Sequence, residues 1–342
     1  MEEVAKKKKI QEGQYPIDFV IPWVDGSDPE WQELRAKYSG GVAGIKAAQF
    51  RDWDVLRYWF RAVEKHAPWV RTIHFVTCGQ IPAWLNTEHP KLNCVNHCDY
   101  IPEEYLPTFS SHVIEANFHR ISGLSEHFVY FNDDMYLNAD VKATDFFVDG
   151  NPCESPVLSV LCPSVIADPF IHYLCNNMAV INEIFSKKEV LRNSFFKWYN
   201  LKYGKELLKN IYRTPESKFS VLQNFHIASS MRKSTYEEVW SRIPDVLEAT
   251  CRNRFRGLND VNQYVMSWYN ICKGDFEPRS TNFGKFYVLG LNDEEIYGDI
   301  LTKKHKMICI NDNIGEIDVD KEKENLGRVF EQAYPEKSSF ER

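Results

Sequence analysis

No apolar run in this chain approaches the roughly 20 residues needed to cross a bilayer, so the sequence offers no membrane-spanning helix. The cationic stretch at residues 6–9 is not followed by an apolar core, which argues against a secretory signal peptide. An excess of positive charge is missing too. The formal charge is -7, which speaks against a general nucleic-acid binder and requires any anionic ligand to be held by local charge. The nine cysteines are an odd set in no tight framework, a pattern of reduced thiols in a cytoplasm rather than of a disulfide scaffold. Repeats and low-complexity linkers are absent as well.

What is present is a globular composition, 44% hydrophobic and 14% aromatic over 342 residues, ample for a large core. The expected organisation is a basic disordered tail over 1–14, a single unit over 15–300 and a charged C-terminal extension over 301–342, peripheral from Asp312 onward. Within the unit, 15–150 reads as an α/β sheet part and 151–300 as a mainly helical part that completes the site. The lysines at 6–9 belong to a solvated tail or touch an anionic membrane surface.

Strand-type runs at 17–21, 72–77, 92–96 and 127–131 alternate with helical periodicity at 29–38, 52–67 and 111–122. Asp28 before Pro29 supplies an N-cap and a first helical residue, and Gly40 with Gly41 stops the first helix. Such alternation predicts a Rossmann-like, GT-A-like fold, with a mostly parallel sheet flanked by helices and ligands at the carboxyl ends of its strands.

Two acidic clusters fall at such ends: Trp23-Val24-Asp25-Gly26-Ser27-Asp28 and Phe131-Asn132-Asp133-Asp134. Asp25 is a metal or nucleotide ligand or else a turn aspartate, while Gly26 lets the backbone turn beside a ligand. Asp28 is a helix cap or a ligand. Asn132, Asp133 and Asp134 are hard oxygen donors suited to Mg²⁺ or Mn²⁺, although adjacent aspartates after a strand also form turns.

In the 111–122 helix, His112, Glu115 and His119 share one face and Ile114, Phe118 and Ile121 the other. The polar face lines a site; its spacing departs from the familiar helical zinc motif. Arg57 and Arg61 lie four apart on one helix with Arg51 nearby, so they clamp a diphosphate or form surface ion pairs. Arg256 is a further phosphate candidate, and His226 is a general base or a structural histidine.

At these residues the chain resembles the Stealth family of hexose-1-phosphate transferases. That family includes bacterial capsule and cell-wall polysaccharide phosphotransferases and the catalytic part of lysosomal-enzyme N-acetylglucosamine-1-phosphotransferase. IDFVIPWVDGSDPEW at 17–31 resembles its first conserved region. RDWDVLRYWFRAVEKHAPWVRTIHFVTCGQIPAWL, LPTFSSHVIEANFHRI and FVYFNDDMYL, within 51–137, resemble the second. NNMAVINEIF and HIASSMRKSTYEEVW resemble a third region, and FRGLNDVNQYVMSWY at 255–269 resembles a fourth, so the likeness runs from about 17 to about 278.

The resemblance implies transfer of sugar-1-phosphate from a UDP-hexose, for example UDP-GlcNAc, to a hydroxyl of a glycan or lipid-linked oligosaccharide. UMP is released, in capsule or cell-wall polysaccharide synthesis at the inner face of the cell membrane. A divalent metal, Mg²⁺ or Mn²⁺, is implied as cofactor. The implied roles are metal and donor diphosphate for Asp25, Asp133, Asp134 and Asp260, phosphate charge for Arg51, Arg57 and Arg256, and the acceptor proton for His226. Trp23, Gly26, Asp52, Glu115 and His119 are expected to line the donor or acceptor pocket. The rivals are a metal-dependent glycosyltransferase that releases UDP, and a noncatalytic module that stacks its many aromatics on glycans.

Overall fold

Strand β1 (Ile17–Pro22) sends alternate side chains to opposite sides of its sheet, and both sides are covered. Phe19 and Ile21 enter one apolar core with Trp59, Phe60 and Phe131, whereas Val20 enters another with Val113, Phe118 and Tyr130. Burial on two faces is what a continuous apolar strand with helices on either side requires. The computed structural model describes residues 15–40, 52–162, 169–312 and 318–342. The basic tail 1–14, with its lysines, and Arg51 lie outside the described residues.

β1 pairs in parallel with β2 (Ile73–Thr77) on one side and with β4 (His127–Tyr130) on the other. β3 (Leu92–Asn96) extends the sheet beyond β2, again in parallel. The chain thus builds outward from β1 to β3 and then returns to the far side of β1. That reversal creates a switch point between β1 and β4, where an α/β sheet opens a crevice at its carboxyl edge. Both acidic clusters follow directly from these two strands, so they share that edge.

Helix α1 (Pro29–Ser39) starts as its sequence dictates: Asp28 accepts the Glu30 N–H at 2.9 Å, and Gly40 ends it in the left-handed region at φ 59°. Helix α2 (Leu56–His66) buries Leu56, Trp59, Phe60 and Val63 against the sheet. Its Arg61 is buried as well and forms a two-pronged pair with Glu341, Nε to Oε1 at 2.7 Å and Nη2 to Oε2 at 2.8 Å.

The expected single helix over 111–122 is interrupted. Helix α3 (Ser111–Ala116) ends at Asn117, whose side chain turns back to the Val113 carbonyl at 2.8 Å, and a 3₁₀ turn follows over Phe118–Arg120. His119 therefore does not continue the face that carries His112 and Glu115.

The second half is mainly helical, as expected, with α4 (Pro169–Ile184) and the helices Lys233–Arg242 and Tyr264–Lys273 among its elements. It also contributes a strand that periodicity did not reveal. Ser229–Arg232 joins β4 antiparallel at the sheet edge, with Ser230 and Met231 fully buried; four residues with two serines are too short and polar to announce a strand.

The C-terminal extension is built into the fold, including the part from Asp312 onward that is expected to be peripheral. Strand Met307–Asn311 sits between β5 (Met135–Leu137) and strand Gly284–Val288. Leu326, Phe330, Tyr334 and Phe340 are buried in the same core as α2. High charge concealed this packing, because the helix Val319–Ala333 is amphipathic and shows its charges outward.

Candidate functional site

A cavity of about 1440 Å³ opens at the carboxyl edge of β1 and β4. Trp23, Asp52, His112, Glu115, Asn132, Asp133, Asp134, His226 and Arg256 all line it. Residues more than 200 positions apart thus converge because the sheet switch point, α3 and the second half close on one space.

Asp133 and Asp134 form its acidic floor. Asp133 is exposed at the cavity surface, yet its enclosure there, reinforced by the adjacent Asp134 charge, pushes its carboxyl up to about 7. Asp134 Oδ1 is buried and accepts no hydrogen bond among the described residues, while its Oδ2 lies 3.8 Å from His226 Nε2 and 3.3 Å from Asn311 Nδ2. Two crowded carboxylates with an orphaned oxygen suit a hard divalent cation, whose charge would offset their repulsion.

Asp134, His226 and Cys309 bring one ligand atom each within 4.8 Å of one another and could also hold a metal ion. The Cys309 thiol is buried and raised well above its ordinary value, by burial first and by Asp134 next. It is a poor partner for Mg²⁺ or Mn²⁺, so the oxygens of Asp133 and Asp134, with His226 beside them, are the better fit.

His226 sits at φ 47°, a costly conformation for a residue with a side chain. Asn224 holds it there by accepting the His226 N–H at 2.8 Å, and the Tyr264 hydroxyl lies 3.1 Å from Nδ1. The turn leaves Nε2 facing Asp134.

A second imidazole reaches the cavity from α3. His112 Nδ1 lies 3.1 Å from Asp260 Oδ2, and Asp260 also accepts from Gly257 N at 2.8 Å and Asn253 Nδ2 at 2.7 Å. An acceptor carboxylate so engaged makes Nδ1 the donor, so in the neutral imidazole Nε2 is the acceptor nitrogen. Glu115, one turn along, is buried and its carboxyl is raised by that burial; the Tyr130 hydroxyl reaches its Oε1 at 2.8 Å, while Oε2 has no partner among the described residues. Arg256 donates to Ser111 Oγ at 2.7 Å, and its positive charge acts on both Glu115 and Asp133.

Several expected site residues are not brought to the cavity. Asp260 is fully buried and wholly engaged by protein donors, so it orients His112 and the Arg256 loop and has no oxygen for a metal. His119 turns into the core beside Tyr236 and Trp240, where burial and then the charges of Arg120 and Lys233 lower its pKa to about 3. The Arg57 guanidinium lies over the Trp84 ring, 5.8 Å from its centroid, because its helix face looks toward the C-terminal segment.

Asp25 is a turn aspartate: its Oδ1 accepts from Ser27 N at 2.9 Å and Ser27 Oγ at 2.6 Å. It still contributes charge, since Asp25 is among the groups that raise the half-buried Asp52 carboxyl, although loss of solvent around it is the main cause. Gly26 carries the turn and offers its carbonyl to Gln32 Nε2 at 2.8 Å, also outside the cavity lining.

Other lining residues escaped the sequence reading: Tyr264, Lys285, His305 and Asn311. Lys285 stands at the start of strand 284–288 and Asn311 at the end of strand 307–311, and neither strand carries paired carboxylates to mark it.

Comparison with known proteins accounts for that C-terminal contribution. Models of the Stealth protein family match conserved region 1 at 15–43, conserved region 2 at 49–154 and conserved region 4 at 298–342. The chain belongs to the Stealth family. It is 41% identical over 330 residues to the capsular polysaccharide phosphotransferase WcwK of Streptococcus pneumoniae, covering 95% of this chain and 98% of that protein. It is 42% identical over 332 residues to the exopolysaccharide phosphotransferase cps2G of Lactiplantibacillus plantarum, covering 96% and 97%. The receptor polysaccharide phosphotransferase WefC of Streptococcus oralis is 37% identical over 332 residues, covering 95% and 99%. Stealth region 4 is therefore the segment with His305, Asn311 and Arg61's partner Glu341, and not the 255–269 stretch, and the family likeness extends to residue 342.

Proposed function

We propose that this Stealth transferase moves sugar-1-phosphate from a UDP-hexose, UDP-GlcNAc being one example, to a hydroxyl of a glycan or lipid-linked oligosaccharide. The product is a phosphodiester, UMP is the leaving group, and the setting is capsule or exopolysaccharide synthesis at the inner membrane face. The observation that carries the reading is the meeting of Asp133, Asp134, His226 and Arg256 in one cavity, in a chain about 40% identical to polysaccharide phosphotransferases.

In this reading the acceptor oxygen attacks the phosphorus bonded to the sugar, and the bond from that phosphorus to the bridging oxygen of UMP breaks. His226 Nε2 takes the acceptor proton. Arg256 and Lys285 offset charge that gathers on the transferred phosphoryl oxygens and on departing UMP. Asp133 and Asp134 would hold Mg²⁺ or Mn²⁺, which when bound supplies further charge neutralisation. Trp23, fixed by stacking on Phe75 at 5.8 Å between ring centroids, offers an aromatic wall to a uracil or sugar ring.

A second assignment of the base has its own support. His112 is held by Asp260 in the tautomer with Nε2 unprotonated, the arrangement a general base needs. Under the first assignment His226→Ala lowers turnover about 10²-fold or more and His112→Ala less; the reverse order transfers the role.

Incubation with a panel of UDP-sugars and Mg²⁺ or Mn²⁺ tests the reaction itself. UMP release is expected. UDP release would mean attack on the anomeric carbon and an ordinary glycosyltransferase, and binding without any release would leave a glycan-binding module.

A further inference from the structure

Six of the large hydrophobic residues that stand exposed fall within eighteen positions: Phe195, Phe196, Leu201, Leu208, Ile211 and Tyr212. Singly exposed apolar residues are ordinary, but a contiguous group marks an interaction surface. Phe196, Leu201 and Tyr212 are 84%, 86% and 82% exposed, so they are not core residues caught at an edge.

The segment beneath them is firmly held. Trp198, Tyr203 and Asn210 are fully buried, and Asn210 Nδ2 donates to the Pro156 and Trp198 carbonyls at 2.9 and 2.8 Å. On the helix Leu207–Arg213 this turns Asn210 inward and puts Leu208, Ile211 and Tyr212 on the outer side. Tyr199 reaches Thr214 Oγ1 at 2.6 Å, which binds the Phe195 segment to the end of that helix.

Cations are interleaved with this apolar face. Between Phe195 and Arg213 stand Lys197, Lys202, Lys205, Lys209 and Arg213 against one acid within the segment, Glu206, in a chain whose formal charge is -7. Lys197 pairs with Glu277 at 3.1 Å and Arg213 with Glu216 at 2.6 Å, while Lys202 donates to the Pro278 carbonyl at 2.8 Å and has no ion-pair partner among the described residues. Glu206 pairs with Lys209 at 2.6 Å. The face also meets the candidate site, for Gly204, Lys205 and Glu206 line the cavity mouth.

We propose that this face docks the enzyme on an anionic lipid bilayer, with Leu201, Leu208, Phe196 and Tyr212 entering the headgroup boundary and the uncompensated positive charge of Lys202 and Lys205 meeting lipid phosphates. A second copy of the chain suits it poorly. A two-fold interface sets a patch against itself, so the same cations would face one another. A glycan suits it less well than a bilayer, because three of the six residues, Leu201, Leu208 and Ile211, offer sugars no aromatic plane. The consequence for catalysis, presentation of a membrane-held acceptor at the cavity mouth, rests on the proposed function; docking itself does not.

The test is flotation of the full chain with vesicles of phosphatidylcholine alone or mixed with phosphatidylglycerol, with the double variant L201S/Y212S beside it. Both substitutions fall on exposed positions and leave the core intact. The wild type is expected to bind the anionic vesicles, to be released by high salt and to ignore the neutral ones, while the double variant binds at least about tenfold more weakly.

UMP release with a water-soluble acceptor is expected to be the same in both proteins. Equal wild-type binding to neutral and anionic vesicles, absence of binding, or full binding by the variant overturns the proposal. So does a concentration-dependent dimer that only the variant loses, which would assign the face to a second copy. Docking as expected with no UMP from any UDP-sugar would sink the reaction and leave the surface standing.

Discussion

His112 and Asp260, 148 residues apart in the chain, meet at 3.1 Å in a buried pair whose imidazole edge looks into the cavity. With Asn253 and Gly257 also donating to it, Asp260 has both oxygens occupied by protein groups, the geometry of a residue that would position His112 rather than bind a metal. Asp260→Asn is expected to leave Mn²⁺ affinity unchanged, while turnover falls about 10-fold to 10²-fold because the amide can donate to Nδ1 and reverse the tautomer. Calorimetric Mn²⁺ titration beside kcat measurement checks this; a large loss of metal affinity would return Asp260 to the ligands.

Asp134→Asn separates metal binding from folding. It removes the charge that helps to raise Asp133, so the metal-free variant is expected to melt no lower than the wild type. Mn²⁺ binding and turnover should both collapse. Thermal melts with and without Mn²⁺ decide it: a metal-induced rise in Tm as large as the wild type's would exclude Asp134 as a ligand.

Asp18 gives the fold an acid limit. Burial alone would raise its carboxyl, but hydrogen bonds from His74, Arg71 and the Ser125 N–H outweigh that and hold it below the ordinary 3.8. A depressed folded value means the contribution is fully present above the unfolded pKa and is lost as pH falls from 3.8 through the lower folded value. Asp18→Asn is expected to cost about 3–5 kcal/mol at neutral pH and to flatten stability across that acid window. Urea melts over the acid range measure both.

Arg61 and Glu341 tie α2 to the C-terminus with side chains that are 5% and 3% exposed. Arg61→Ala strands a buried carboxylate and should cost about 3–5 kcal/mol. Arg57→Ala, one turn away over the Trp84 ring, should cost below about 1 kcal/mol and leave the donor KM unchanged. A raised KM for Arg57→Ala would restore the expected phosphate role.

The sheet and the edge that carries the cavity were legible because apolar strands of the right length ended in acidic clusters: β1 and β4 needed no tertiary information, and the cavity placement of Asp133 and Asp134 followed from β4 alone. Long-range pairing was not legible. Asp260 looked like another hard donor until His112, Asn253 and Gly257 claimed its oxygens, and Arg57 and Arg61 looked like a clamp until the C-terminal segment covered their face. His119 was misplaced by one local event, the Asn117 break that no periodicity announces. The C-terminal strand and helix were hidden by charge, since composition reports the outer face of an amphipathic helix as strongly as its buried one.

The most direct measurement follows the phosphorus atom next to the sugar. With UDP-hexose labelled at that phosphorus, the account predicts that the label enters the glycan product as a phosphodiester while unlabelled UMP is released. Label recovered in UDP, with an unlabelled glycan, would contradict it.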